Sequence, residues 1–319
     1  MLSRGEMMNI VVVDHVYLED EHIKKLQSLG NLKIFKRAAR TPAELKRRVR
    51  HADVVIVGWS HMTREVISTA EKLKMISIWA TSCHYADAEA AKERQILVTH
   101  VPGYATEAVA EYAFAMLLAS ARKLSSADKH VRKGHFDWRP FGGIELKGKT
   151  LGIIGTGSIG LRVAEISQAF DMRLLGHDKY PNEQRAKQLG LQYVDLNTLL
   201  KESDFITLHV TLTPETEKLI GEEEFRIMKE HAVIVNTSQG KVIDEKALTR
   251  ALKSGRVFSA GLDVFVDEPP RRKNQLFDLK NTVLSPHVGF HTFEAVKQCT
   301  DICIDNIGKF MEGKQQNAC

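Results

Sequence analysis

Lys149-Thr-Leu-Gly-Ile-Ile-Gly-Thr-Gly-Ser-Ile-Gly160 decides how the rest of this chain is read. Leu151 to Ile154 reads as a buried strand, Gly155, Gly157 and Gly160 as a glycine turn, and the residues from about Ser158 as a helix. A second strand, Arg173 to Gly176, runs toward an acidic residue at Asp178, roughly twenty positions beyond the turn as a dinucleotide-binding fingerprint requires. Each glycine has a separate job. Gly155 makes the turn, Gly157 lets the backbone approach a pyrophosphate, and Gly160 lets the helix pack closely on its strand. The unpaired N–H groups of the helix start, including those of Ser158 and Ile159, then face the anion. Asp178 is suited to accept hydrogen bonds from ribose hydroxyls and to repel a 2′-phosphate, which favours NAD over NADP.

Strands and helices alternate on both sides of this stretch, which predicts parallel sheets with right-handed crossovers. The first set of strands is Asn9 to Val13, Leu32 to Lys36, Asp53 to Val57, Met75 to Trp79 and Ile96 to Thr99. Thr41-Pro-Ala-Glu44 supplies an N-cap, a proline at the first helical position and a capping-box glutamate. A long alanine-rich helix, Thr106 to about Ser125, links the two halves, followed by an irregular segment from His130 to Gly148. After the fingerprint come strands at Phe205 to Val210, Val233 to Asn236, Phe258 to Asp263 and Thr282 to Ser285. Thr292 to Lys309 reads as a last helix returning to the first domain. The fold class is therefore α/β with two doubly wound parallel-sheet domains: residues 1–101 with 291–319 for substrate, and 102–290 for the nucleotide. Ligands of such sheets bind at the carboxyl ends of the strands, so a cleft between the two domains is expected.

Composition narrows the function. A length of 319 residues suits two domains, and 43% hydrophobic with 27% charged residues is globular. No apolar run reaches bilayer length and no signal-peptide core is visible, so a cytoplasmic protein without membrane partners is expected. Met1 to Met8 precedes the first expected strand and reads as a tag, an extension or an early start. The net charge of +5 is dispersed; the densest basic run, Lys46 to Arg50, reads as a solvated helix face, which argues against a nucleic-acid partner. Cys83, Cys299, Cys303 and Cys319 show no metal-ligand or disulfide spacing and read as free thiols in a reducing cytosol, so no metal is expected.

Three segments at expected strand ends carry chemistry: Asn236-Thr-Ser-Gln-Gly240, Gly261-Leu-Asp-Val-Phe-Val-Asp-Glu-Pro269 and Ser285-Pro-His-Val-Gly289. Hydride transfer to a carbonyl needs a group that delivers the hydroxyl proton and a group that holds the substrate. His287 can be the acid/base, and Glu268 can fix its tautomer and raise its pKa.

From about residue 50 to residue 310 the chain resembles the NAD-dependent D-isomer-specific 2-hydroxyacid dehydrogenases, of the glycerate and phosphoglycerate dehydrogenase kind. The resemblance rests on Val109-Ala-Glu111, Glu145-Leu-x-Gly-Lys-Thr-Leu-Gly-Ile-Ile-Gly155, Leu208-His-Val-x-Leu-Thr-Pro-Glu-Thr216, Asp263 with Glu268-Pro269, and Ser285-Pro-His287. It implies a flavodoxin-like substrate domain and a Rossmann NAD-binding domain. It further implies a catalytic His287–Glu268 pair, Asp263 near the nicotinamide amide, and cofactor contacts around Ser158, Ile159, His209, Val210, Thr216, Thr237, Ser238 and Gly289. Homodimers built on the nucleotide domain and its linking helix are implied as well.

Two departures fall on substrate recognition. Where the family pattern has Asn-x-x-Arg-Gly, this chain has Gln239, which replaces a charged bidentate clamp by neutral donors. The substrate loop Thr81, Ser82, Cys83, His84 and Tyr85 carries Ser82 where glycine is usual, and His84-Tyr85 where Asp-Asn is usual. Three explanations stay open: an unusual substrate whose acid group is held by His84, Arg139 or Lys241, a slow enzyme on ordinary 2-oxo acids, or an NAD(H)-binding regulatory or scaffold protein. Retention of both Glu268 and His287 favours an active dehydrogenase.

Overall fold

The computed structural model describes residues 7–319, so most of the segment read as a tag, extension or early start lies outside the described residues. Within it, Met8 already opens the first strand. The chain divides into two compact units, one running up to Ala105 and resuming at Thr292–Cys319, the other Thr106–His291.

The first unit is a five-stranded parallel sheet of β1 (Met8–Val12), β2 (Gly30–Ile34), β3 (Val54–Val57), β4 (Met75–Ile78) and β5 (Leu97–Thr99), in the order β2-β1-β3-β4-β5. β3 and β4 are buried along their whole length, as expected of central parallel strands covered on both faces. The last helix, Phe293–Met311, belongs to this unit and is tied to β4: Ser77 Oγ lies 3.3 Å from the Cys303 carbonyl, and Trp79 donates to Thr300 Oγ1 at 2.9 Å.

The second unit is a seven-stranded parallel sheet of β6 (Thr150–Ile154), β7 (Arg173–His177), β8 (Leu191–Tyr193), β9 (Phe205–Leu208), β10 (Ala232–Asn236), β11 (Val257–Leu262) and β12 (Thr282–Leu284). The order β12-β11-β10-β9-β6-β7-β8 reverses direction between β6 and β9, which makes that point the topological switch where α/β sheets bind ligands.

Several sequence expectations need correction. The linking helix ends at Ala121, not near Ser125, because Lys123 is left-handed (φ 52°) and the Ala121 carbonyl is taken by the returning Ile144 N–H at 3.0 Å. A separate helix, Leu124–Arg132, then occupies the start of the segment read as irregular. Strand β8 was not expected; three residues after a left-handed Gly190 are too few to show a periodicity. The Glu44 carboxylate accepts from the Arg40 N–H at 3.0 Å and from Arg48 at 2.6 Å, not from the N-cap, although Thr41 does cap the Glu44 N–H at 3.2 Å. Arg48 is buried, bonded to the Val13 and Arg37 carbonyls, so the basic run is not solvated throughout.

The cysteine reading is corrected most sharply. Cys83 and Cys319 are joined as a disulfide across 236 residues of sequence, while Cys299 and Cys303 are free and buried. Among the described residues no helix is long and apolar enough to cross a membrane.

Candidate active site

The nucleotide turn is built by close packing at the β6 end. Gly155 has φ 91°, and a Cβ there would sit 2.7 Å from the His209 carbonyl carbon. A Cβ on Gly160 would lie 2.0 Å from the Gly155 oxygen, so the helix Ser158–Gln168 meets its strand only because that position has no side chain. Gly157 is different: an added Cβ would meet nothing within 4 Å, which leaves open space over the first-turn N–H groups of Ser158, Ile159 and Gly160. Asp178, just past β7, accepts from Thr156 N and Oγ1 at 2.5 and 3.1 Å and from Tyr180 N at 2.8 Å. Tyr193 of the unexpected β8 completes this corner, 2.7 Å from Thr156 Oγ1. No sequence signal marked it.

At the β9 end, His209 donates its backbone N–H to Ile154 O at 2.7 Å and pairs Nε2 with Thr207 Oγ1 at 2.9 Å. Burial pushes this imidazole down to about 3, so it is neutral at working pH. Val210 packs against the core beside it. The Thr216 hydroxyl holds its own turn, accepting from Thr213 N and donating to Thr211 O, both at 2.7 Å.

Beyond β10, Asn236 organises the loop that carries Gln239. Its Nδ2 donates to Gln239 O at 2.9 Å, and its Oδ1 accepts from Ser238 N and Oγ at 2.9 and 2.8 Å. The Thr237 hydroxyl is buried without a hydrogen-bond partner among the described residues. A Cβ on Gly240 would lie 2.0 Å from Phe265 backbone atoms, so the Gln239 loop lies directly against the loop after β11.

Asp263 and Glu268 leave β11, and His287 follows β12. Glu268 Oε2 lies 2.7 Å from His287 Nδ1, while Oε1 accepts from Phe265 N at 3.0 Å. Burial alone would raise the Glu268 pKa, but the His287 and Phe265 hydrogen bonds outweigh it and the net shift is downward. The Glu268 bond raises the His287 pKa against its burial, with the charges of Glu268 and Asp263 adding to the effect.

His287 is left-handed (φ 55°), a conformation uncommon outside glycine. Asp263 holds it there. Its backbone oxygen accepts from His287 N at 2.8 Å; its carboxylate accepts from Ser285 Oγ at 2.5 Å, Val288 N at 2.9 Å and Gly289 N at 2.7 Å. The side chain expected beside a nicotinamide amide is thus occupied with the backbone around the imidazole.

In the first unit, Thr81 Oγ1 donates to Val101 O at 3.2 Å, Ser82 Oγ lies 2.5 Å from His84 Nδ1, and Cys83–Tyr85 form one 3₁₀ turn. The His84 and Tyr85 rings stack at 4.3 Å, and His61 stacks on Tyr85 at 5.2 Å. His61 was missed in the sequence reading, as was Asp14. The Asp14 carboxylate accepts from the N–H groups of Gly58, Trp59 and Ser60 at 2.9, 2.8 and 2.8 Å and so fixes the loop leading to His61. Of the alternative holders of an acid group, Arg139 is engaged by Asp137, and Lys241 is exposed two residues beyond Gln239.

The residues present fit a dinucleotide: open space at Gly157, a helix start, a carboxylate at Asp178 just past β7 and, among the described residues, an unpaired hydroxyl at Thr237.

Residues 114–289 match the family described as D-isomer specific 2-hydroxyacid dehydrogenase, NAD binding domain. The chain is 41% identical over 310 residues to the D-3-phosphoglycerate dehydrogenase of Methanocaldococcus jannaschii, covering 97% of this chain and 58% of that protein's length. It is 40% identical over 306 residues to the glyoxylate reductase of Thermococcus litoralis, covering 93% of this chain and 92% of that one. Among solved structures, an acyclic imino acid reductase in complex with NADPH and D-Arg superposes with a TM-score of 0.89 at 35% identity, over 98% of this chain and 100% of that one. The glycine turn, the imidazole–carboxylate pair and these similarities agree: the chain belongs to the D-isomer-specific 2-hydroxyacid dehydrogenase family, NAD-dependent oxidoreductases of the CH–OH group, and its second unit is that family's NAD-binding domain.

Proposed function

We propose that the chain interconverts a D-2-hydroxy acid, or a close analogue, and its 2-oxo form. The observation that carries this reading is the 2.7 Å pairing of His287 Nδ1 with Glu268, which raises the imidazole pKa and leaves Nε2 as the ring nitrogen available to a substrate. NAD(H), when bound, supplies or takes the hydride at the substrate carbon. His287 gives its Nε2 proton to the carbonyl oxygen during reduction and takes it back from the hydroxyl during oxidation. Glu268 fixes the tautomer and stabilises the imidazolium. Asp263 acts from behind, by holding the turn that presents the ring.

Cofactor binding in this reading uses the Gly155–Gly160 turn and the N–H groups of Ser158 and Ile159 for the pyrophosphate, and Asp178 for the ribose. His209, Val210, Thr216, Thr237, Ser238 and Gly289 line the remainder. Gln239 and the loop Thr81–Tyr85 orient the substrate. A glutamine amide brings neither the positive charge nor the bidentate fork of a guanidinium, so the carboxylate of a simple 2-oxo acid is held more weakly than by an arginine. Short 2-oxo acids of the glyoxylate and hydroxypyruvate class are the proposed substrates, supported by the similarity to glyoxylate reductases.

The test is NADH oxidation followed at 2-oxo acids of increasing size, with NADPH run alongside to test Asp178. Turnover preferring NADH supports the reading. Tight NADH binding with no turnover across the panel would favour a regulatory protein instead.

A homodimer built on the nucleotide unit is part of the same proposal. The segment after the linking helix leaves Val131, Phe136 and Trp138 exposed at 56, 97 and 84%, apolar surface that a second copy would cover. Light scattering on the native chain and on Phe136→Asp with Trp138→Asp tests it: a dimer that becomes a monomer is expected, and a native monomer would end it.

A further inference from the structure

We propose that Cys319 is a positioning residue for the loop Thr81–Tyr85, and that thiol–disulfide exchange between Cys83 and Cys319 sets how well this loop holds substrate. The inference rests on the reading of that loop as substrate-binding.

Thr81 is tied to Val101 O at 3.2 Å and to His100 Nδ1 at 2.7 Å, and the single 3₁₀ turn beyond it is built from local bonds: Ser82 Oγ lies 2.5 Å from His84 Nδ1 and 3.5 Å from His84 N, and the Ala86 N–H reaches Cys83 O at 3.2 Å. Anchors lie on either side, where Val101 N donates to Ala80 O at 2.9 Å and Met62 N donates to Tyr85 O at 2.7 Å. Between them, the covalent tie of the turn to the rest of the unit is the bond from Cys83 to Cys319.

The other end of that bond is firmly seated. Asn317–Cys319 lie along the free edge of β5, with Cys319 N donating to Val98 O at 2.9 Å and His100 N to Asn317 O at 3.0 Å. Asn317 Nδ2 donates to Asn306 Oδ1 at 2.9 Å and Gln316 Nε2 to Asp305 Oδ2 at 2.8 Å, which locks the segment to the last helix. The disulfide therefore transmits the position of a strand edge and a helix to the turn carrying His84 and Tyr85. Their rings stack on each other and on His61, so a displacement of Cys83 disturbs the whole aromatic shelf.

Exposure confines exchange to this pair. Cys83 is half-buried and Cys319 exposed, whereas Cys299 and Cys303 are enclosed, and burial pushes the Cys303 thiol up to about 12. The reaction balances with a low-molecular-weight disulfide as oxidant. The two thiols and one oxidised glutathione give the Cys83–Cys319 bond and two reduced glutathiones, and a dithiol reverses it.

The experiment uses the full chain after oxidised glutathione or dithiothreitol, with intact mass and alkylation reporting the bond. KM for the best 2-oxo acid of the panel, kcat and the KM for NADH are measured beside amide hydrogen exchange over residues 81–86. Reduction is expected to raise the substrate KM about fivefold with kcat and the KM for NADH within about twofold, and to speed exchange at 81–86. Cys319→Ser should show the reduced values after dithiothreitol. Unchanged KM and unchanged exchange on breaking the bond would overturn the inference, as would free thiols persisting after oxidised glutathione. Exchange that responds to reduction in a chain with no turnover would instead remove the dehydrogenase reading while keeping the tether.

Discussion

Asp263 accepts hydrogen bonds from the backbone N–H groups of both Val288 and Gly289, at 2.9 and 2.7 Å, and so fixes from behind the left-handed turn that aims His287. Glu268 meets the same imidazole from the side, at 2.7 Å. Two carboxylates from one loop thus do separate work on one histidine: the buried one sets its backbone, the accessible one its proton.

Removing charge from the accessible one tests the second role. Glu268→Gln keeps the shape but lowers the His287 pKa. Reduction needs protonated His287, so its rate is full below the raised pKa and falls as pH rises through it; oxidation shows the opposite limb. In the variant both limbs move to lower pH, and kcat/KM for reduction at pH 7.5 drops about 10- to 100-fold. Superimposable pH profiles of native and variant chains would contradict the assignment.

Asp263→Ala tests the first role. It strips acceptors from two backbone N–H groups and from Ser285 Oγ inside the protein, which costs about 3 kcal/mol of unfolding free energy. Urea unfolding measures it. A loss below about 0.5 kcal/mol would mean that the turn stands without the carboxylate.

Gln239→Arg restores the charged clamp of the family pattern. Position 239 is half-buried and its loop is already fixed by Asn236 and by the contact of Gly240 with Phe265, so a longer side chain enters a formed loop. Steady-state kinetics with glyoxylate and hydroxypyruvate should show kcat/KM up about tenfold, mainly through KM. No change would place residue 239 away from the substrate carboxylate.

Much of this was legible in the sequence because the constraints are local. The need for Gly160 follows from a clash with Gly155 five residues earlier, and fully buried runs such as Phe205–Leu208 announce central strands. Helix and strand ends shifted where a distant segment supplied the decisive bond, as Ile144 does at Ala121. Arg48 looked solvated because its carbonyl partners at Val13 and Arg37 come from other elements. The pairing of Cys83 with Cys319 and the stacking of His61 on Tyr85 depend on strand order, which no spacing encodes. The Glu268–His287 pair was the exception, because motifs of a recognisable family marked both of its members.

The central claim is that His287 carries the substrate proton, and the direct measurement is the single-turnover rate of His287→Ala with NADH and the best 2-oxo acid, beside its NADH affinity by fluorescence. The expected result is a loss of about a thousandfold in rate with the NADH Kd changed less than about threefold. A rate within about tenfold of the native chain would contradict the account.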